Sequence, residues 1–173
     1  AIEPRAHQSG HSITAIVIEN DGNDTWVEKS GHPDPVQLDA KAIIERIREA
    51  GIVGMGGAGF PTALKLVPPP GITPDYLIIN GCECEPYFTA DDRLMVEYPE
   101  DIILGAQLMA KASGARKIVI AIEDNKPEAY AALKAKAGAI EIVLVPTRYP
   151  AGGEKQLIQF ITRREVPSGG MPY

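Results

Sequence analysis

Cysteine is nearly absent from this chain. It has two, Cys82 and Cys84, one residue apart. That spacing is too short for a stabilising disulfide and predicts free thiols in a reducing setting. Two sulfurs also fall short of the four an iron–sulfur cluster normally takes. His7, His11 and His32 lie far back in sequence, so the C-x-C predicts no metal site and suits small buried fillers. A cationic excess is missing too: 17 Lys and Arg stand against 23 Asp and Glu, a net charge of −6. No dominant basic surface exists to neutralise a nucleic-acid backbone, which excludes that partner class. No run approaches the roughly 18 apolar residues of a membrane span. The start, "AIEPRAHQSGHS", has no apolar core of a signal peptide. It has no initiator Met, and the end, "SGGMPY", is equally abrupt. Both ends predict a piece of a longer protein.

What is present is an apolar, glycine- and proline-rich pattern: 45% hydrophobic residues, 17 Gly and 15 Pro in 173 residues. "HSITAIVIEN" (11–20) predicts a strand, "NDGND" a turn and "TWVEKS" a short returning strand. "GHPDP" then reads as a linker. Residues 1–35 are expected to be the end of a small β module, and 36–173 a separate domain. Within that domain helices are expected over 38–51, 99–114, 126–138 and 152–164, and a short helix or turn over "PTALKLVP". Asp39 is the expected N-cap of the first helix and Gly51 its stop. Strands are expected over 75–80, 117–123 and 140–146, with 80–93 a loop. Short apolar strands alternating with helices predict an α/β fold, a Rossmann-like three-layer domain with a mostly parallel sheet.

Three loops carry candidate chemistry. "GIVGMGGAGFPTALKL" (51–66) holds a literal G-x-G-x-x-G at Gly54, Gly56 and Gly59. A helix precedes it, where the dinucleotide fingerprint needs a strand. Its backbone N–H groups can still nest an anion, with Phe60 against a planar ring and Lys65 reaching a phosphate. A tight structural crossing is the other reading. "NGCECEPYFTADDR" (80–93) follows a parallel strand, where α/β ligands bind, and gathers Asn80, Glu83, Glu85, Asp91, Asp92 and Arg93. Asn suits a ribityl hydroxyl or a flavin carbonyl, and carboxylates suit ribose hydroxyls. Singly, each acid also reads as a solvated loop residue. "RYPAGGEKQ" (148–156) follows the last strand and opens a helix, with Tyr149, Gly152, Gly153 and Glu154 at its start. One mononucleotide-like ligand on one rim accounts for all three.

Taken together, "GMGGAGFPTALKL", "NGCECEP", "YPAGGEKQL" and "REVPSGG" resemble the RnfC subunit of the Rnf electron-transport complex. The first three are similar, more distantly, to the NADH-binding flavoprotein subunit of respiratory complex I and to RnfC-like cobalamin reductases. The resemblance implies an FMN-binding domain that takes hydride from NADH and names no general acid or base. It implies that Gly54, Gly56, Gly57, Ala58, Gly59, Phe60 and Lys65 border FMN and the nicotinamide. It implies that Asn80 contacts the ribityl–phosphate part, that Glu83 and Glu85 lie near FMN or the NADH ribose, and that Tyr149, Gly152, Gly153 and Glu154 complete the pocket. Complex I relatives carry Arg at the position of Met55, an acid and Ser at Cys82 and Cys84, and two acids at Gly153–Glu154. The family further implies [4Fe–4S] clusters outside this chain, partner subunits of a membrane complex, and a peripheral place on the cytoplasmic side of the membrane. A cobalamin reductase and a flavin-free scaffold domain are the alternative functions.

Overall fold

The structure is a computed structural model, and it describes residues 1–28, 31–55 and 59–170. It divides into two compact units, Ala1–Pro33 and Asp34–Tyr173. In the first, β1 (Ile2–Ala6) and β2 (Ser12–Ile16) form an antiparallel hairpin with Ile2 opposite Ile16 and Ala6 opposite Ser12. The turn is closed by the Gly10 N–H on the His7 carbonyl at 3.0 Å. The second strand is thus part of the expected 11–20 segment, but its partner precedes it. Residues 25–28, expected to return as a strand, belong to none.

In the second unit α1 (Ala40–Glu49) begins where Asp39 Oδ1 accepts the Ala42 N–H at 2.7 Å. It ends in paired bonds from the Gly51 N–H to Arg48 O and the Ile52 N–H to Ile47 O, with Gly51 at φ +65°. This is the Schellman stop that a glycine permits. A four-residue α2 (Thr62–Lys65) and β3 (Tyr76–Gly81) follow. Next come α3 (Ala90–Glu97), α4 (Pro99–Ser113), β4 (Lys117–Glu123), α5 (Pro127–Lys136), β5 (Glu141–Val145) and α6 (Glu154–Thr162). The expected loop 80–93 therefore ends early, because Asp91, Asp92 and Arg93 are helical.

The sheet is three-stranded and parallel in the order β3-β4-β5, with Ile79 beside Ile120 and Ile120 beside Ile142. Period-two alternation sends β4 side chains to both faces. Ile120 and Ile122 pack with Ile142, Met95, Ile103 and Leu133 under α3, α4 and α5. Ala121 packs with Val145 and Leu157 under α6. Ile120, Ile122 and Leu133 have no solvent exposure, and each such side chain contributes about 1.5–3 kcal/mol of transfer free energy. The α1 face of Ile43, Ile44 and Ile47 packs with Leu66, Leu108 and Ala112, tying α1 and α2 to α4. The result is an α/β domain with helices on both faces of a parallel sheet.

Candidate functional site

Two of the three glycine- and acid-rich loops leave the C-terminal ends of β3 and β5, and an ion pair joins the first to the third. The first is a closed hairpin. The Gly54 N–H donates to Phe60 O at 2.9 Å, the Thr62 N–H donates to Ile52 O at 3.0 Å, and Val53 bridges Pro61. Met55 projects into solvent, and Gly59 lies at φ +61° with open space on the side a Cβ would occupy. Gly56, Gly57 and Ala58 lie outside the described residues. Behind the tip, Lys65 Nζ sits 5.8 Å from the Phe60 ring centroid and 3.5 Å from Glu154 Oε1. That ion pair joins the hairpin to the first turn of α6, where an acid also suits the helix N-terminus.

The second loop leaves β3 at Asn80. Its Oδ1 accepts the Cys82 N–H at 3.1 Å, and its Nδ2 donates to Gly152 O at 2.8 Å. Both ends of the carboxamide thus hold protein backbone. Glu83 turns inward: it is 7% exposed, accepts the Asp91 N–H at 2.9 Å, and pairs with Lys126 Nζ at 3.4 Å. A carboxylate there caps α3, whose own N-cap residue, Thr89, makes no side-chain bond. Glu85 stays exposed, next to Tyr87 and Phe88, which point fully and largely into solvent. Burial, reinforced by Glu83 and Glu85, raises the Asp91 carboxyl above its ordinary 3.8.

The third loop passes tightly over the second. A Cβ on Gly152 would stand 2.9 Å from the Cys82 Cβ and 3.2 Å from the Cys84 sulfur, so only glycine fits the crossing. The Gly152 N–H donates to Cys84 Sγ at 3.1 Å. Thr147 is fixed from below, its N–H 3.0 Å and its hydroxyl 2.6 Å from Asp124 Oδ1. Tyr149 is free above, at 79% exposure. The Cys82 thiol is pushed up to about 12, by burial first and by Glu123 next. Burial and Glu123 also raise the Cys84 thiol, opposed in part by the Gly152 N–H. No group of three or more metal-ligating side chains occurs among the described residues.

The arrangement brings Phe60, Lys65 and Glu154 together, and separately holds Asn80 and Gly152 together. An ammonium near Gly59, whose Cβ side is open, with an aromatic ring to one side, fits a planar group that carries a phosphate. Glu123 and Lys126 were not singled out in the sequence. The available signal was an acid ending the otherwise apolar run "IVIAIE".

Residues 47–173 match the family described as "Nuo51 FMN-binding domain". The chain belongs to that family. Proteins similar to it include a subunit of the ion-translocating oxidoreductase complex of Vibrio cholerae, 51% identical over 99% of this chain and 23% of its own length. A subunit of the proton-translocating ferredoxin:NAD(+) oxidoreductase complex of Clostridium ljungdahlii is 50% identical over 96% of this chain and 37% of its own. The corresponding subunit of the Na(+)-translocating complex of Acetobacterium woodii is 46% identical over 99% and 40%. The chain thus spans well under half the length of these relatives. Among solved structures, the air-oxidised NAD+-reducing [NiFe]-hydrogenase superposes with a TM-score of 0.64, at 34% identity, over 75% of this chain and 24% of that one. The RnfC resemblance of the sequence motifs and the α/β fold both agree with these matches.

Proposed function

We propose that this chain is the FMN- and NADH-binding part of an RnfC-type protein in an ion-translocating electron-transport complex. The full protein oxidises NADH and passes electrons to iron–sulfur clusters outside this chain, or runs in reverse and reduces NAD+. The observation that carries this reading is the 3.5 Å pair of Lys65 and Glu154, which joins the glycine hairpin to the helix start across one rim. Family membership and the NAD-linked names of the relatives support it.

When bound, FMN supplies a hydride acceptor that can release electrons singly. The chain's own residues bind and orient. Lys65 neutralises the phosphate, and Phe60 walls the ring. The exposed Glu85 offers two acceptor oxygens to the ribose hydroxyls of NADH. Tyr149 and Glu154 close the opposite side. Asn80, both of whose ends already hold backbone, shapes the floor. The N-terminal hairpin ends a preceding β module. Membrane association is peripheral and cytoplasmic, and no helix among the described residues is long and apolar enough to cross a membrane.

Acid release of the cofactor from the full-length protein, followed by chromatography, tests the reading. FMN is expected. Recovery of FAD, or of no flavin, overturns it.

A further inference from the structure

Glu123 is 1% exposed, and neither of its carboxylate oxygens has a hydrogen-bond partner among the described residues. A buried carboxylate is costly to keep when an apolar side chain would pack against Val145 and Leu157 in its place. It stands at the C-terminal end of the central strand, beside Val145 in register. Its other flank is the chain leaving β3, since Gly81 is beside Ile122. Cys82 Sγ lies 3.9 Å from Ala121 O on that flank, both cysteines border Gly152, and burial together with the Glu123 charge raises both thiols. The Cys84 sulfur receives the Gly152 N–H at 3.1 Å, while Asn80 Nδ2 holds Gly152 O at 2.8 Å.

A thiol has one S–H to give and lone pairs to receive with. We infer that Glu123 and Cys84 are positioning residues: the carboxylate takes the Cys84 S–H, and the sulfur holds the Gly152 N–H. Gly152 is then gripped on both sides, and the loop that carries Tyr149 and leads into Glu154 is fixed above the loop that carries Glu85. Apolar residues at 84 and 123 would fill the same volume, but neither would orient a group toward the Gly152 N–H. The role in ligand binding rests on the FMN and NADH reading of the rim. The grip on Gly152 does not.

The test uses the full-length protein and the variants C84A, C84S, E123L and E123Q. Amide exchange at Gly152 is read in flavin-free protein, and FMN affinity and the KM for NADH are read in the loaded one. C84A and E123L should speed Gly152 exchange about tenfold, the worth of roughly one hydrogen bond, with β4 amides such as Ile120 still protected. FMN affinity should fall and the KM for NADH rise, with kcat largely kept in molecules that retain flavin. C84S restores all of this, since a hydroxyl both donates and accepts. E123Q largely restores it through its carbonyl oxygen. Unchanged Gly152 exchange in C84A overturns the inference. So does a C84S no better than C84A, or loss of β4 protection in C84A, which would make the thiol a determinant of the fold. Wild-type protein without FMN would sink the functional reading alone, because the exchange comparison needs no flavin.

Discussion

Each end of the parallel sheet is tied by a carboxylate and a cation, yet the two ties differ in kind. At the N-terminal end Asp75 receives Arg164 at 2.7 Å and Arg116 at 3.3 Å, with the Asp75 side chain 38% exposed and each arginine 68%. At the C-terminal end Glu83 and Lys126 meet at 3.4 Å with only 3% and 12% exposed. The outer tie is screened by water and salt, and either partner can leave it cheaply. The inner tie has lost its water and is stable only as a pair. A fold needs no such pair to close a sheet. It is useful where the loop above must sit in one place, and that is the rim with Glu85, Tyr149 and Glu154.

The largest expected contrast comes from Lys126→Met. It leaves the Glu83 carboxylate buried without its cation and should cost about 3–5 kcal/mol in denaturant unfolding. A loss below about 1 kcal/mol would mean that the Asp91 and Asp92 N–H groups, 2.9 and 3.4 Å from its two oxygens, suffice to hold Glu83, and the ends would then be alike. Gly152→Ala comes next. The added Cβ meets Cys82 and should cost about 1–3 kcal/mol, with much of the loss recovered in the double variant with Cys82→Gly. Absence of coupling in that cycle would move the crossing elsewhere.

The pH profile separates the ends further. Asp75 is held below its ordinary 3.8, chiefly by Arg164, so its stabilisation is present above that pH and fades as pH falls below it. The Cys82 thiol is raised from 9.0 to about 12, so its contribution is present below pH 9.0 and lost as pH rises through 12. Acid should therefore loosen the N-terminal end, and alkali the rim. Cys82→Ala should flatten the alkaline limb of a melting-temperature profile and leave the acid limb alone. The smallest effect is Arg164→Ala, expected to leave the unfolding midpoint near wild type in moderate salt. A large shift would make the outer tie as important as the inner one.

Much of the scaffold was legible in the sequence. β4 matches the apolar run 117–123, and α4 runs from Pro99 to the stop at Gly114, because local periodicity and glycine punctuation specify both. α3 was not legible. Its first turn, "ADDR", reads as loop, and its cap comes from Glu83, well before the helix. β1 was not legible either, because "IEPRA" mixes charge and proline with little apolar pattern. For the site, residue types and strand ends pointed to the rim, but not to which acid faces out. Glu83 and Glu85 are two residues apart with opposite fates, decided by a lysine 43 positions from Glu83. Asn80 also meets Gly152, 72 residues away, and spacing within a motif carries no record of that.

Those distances along the chain also set an order of assembly. Lys65 and Glu154 are 89 residues apart, and Cys84 and Gly152 are 68 apart. Neighbouring strands and the helices between them close much shorter loops. Contacts between remote parts of a chain form only after the nearer ones have brought them close. The sheet therefore precedes the rim, and a half-folded chain has no place to put a ligand. By this measure the Gly152 crossing forms late and the Lys65–Glu154 pair later still.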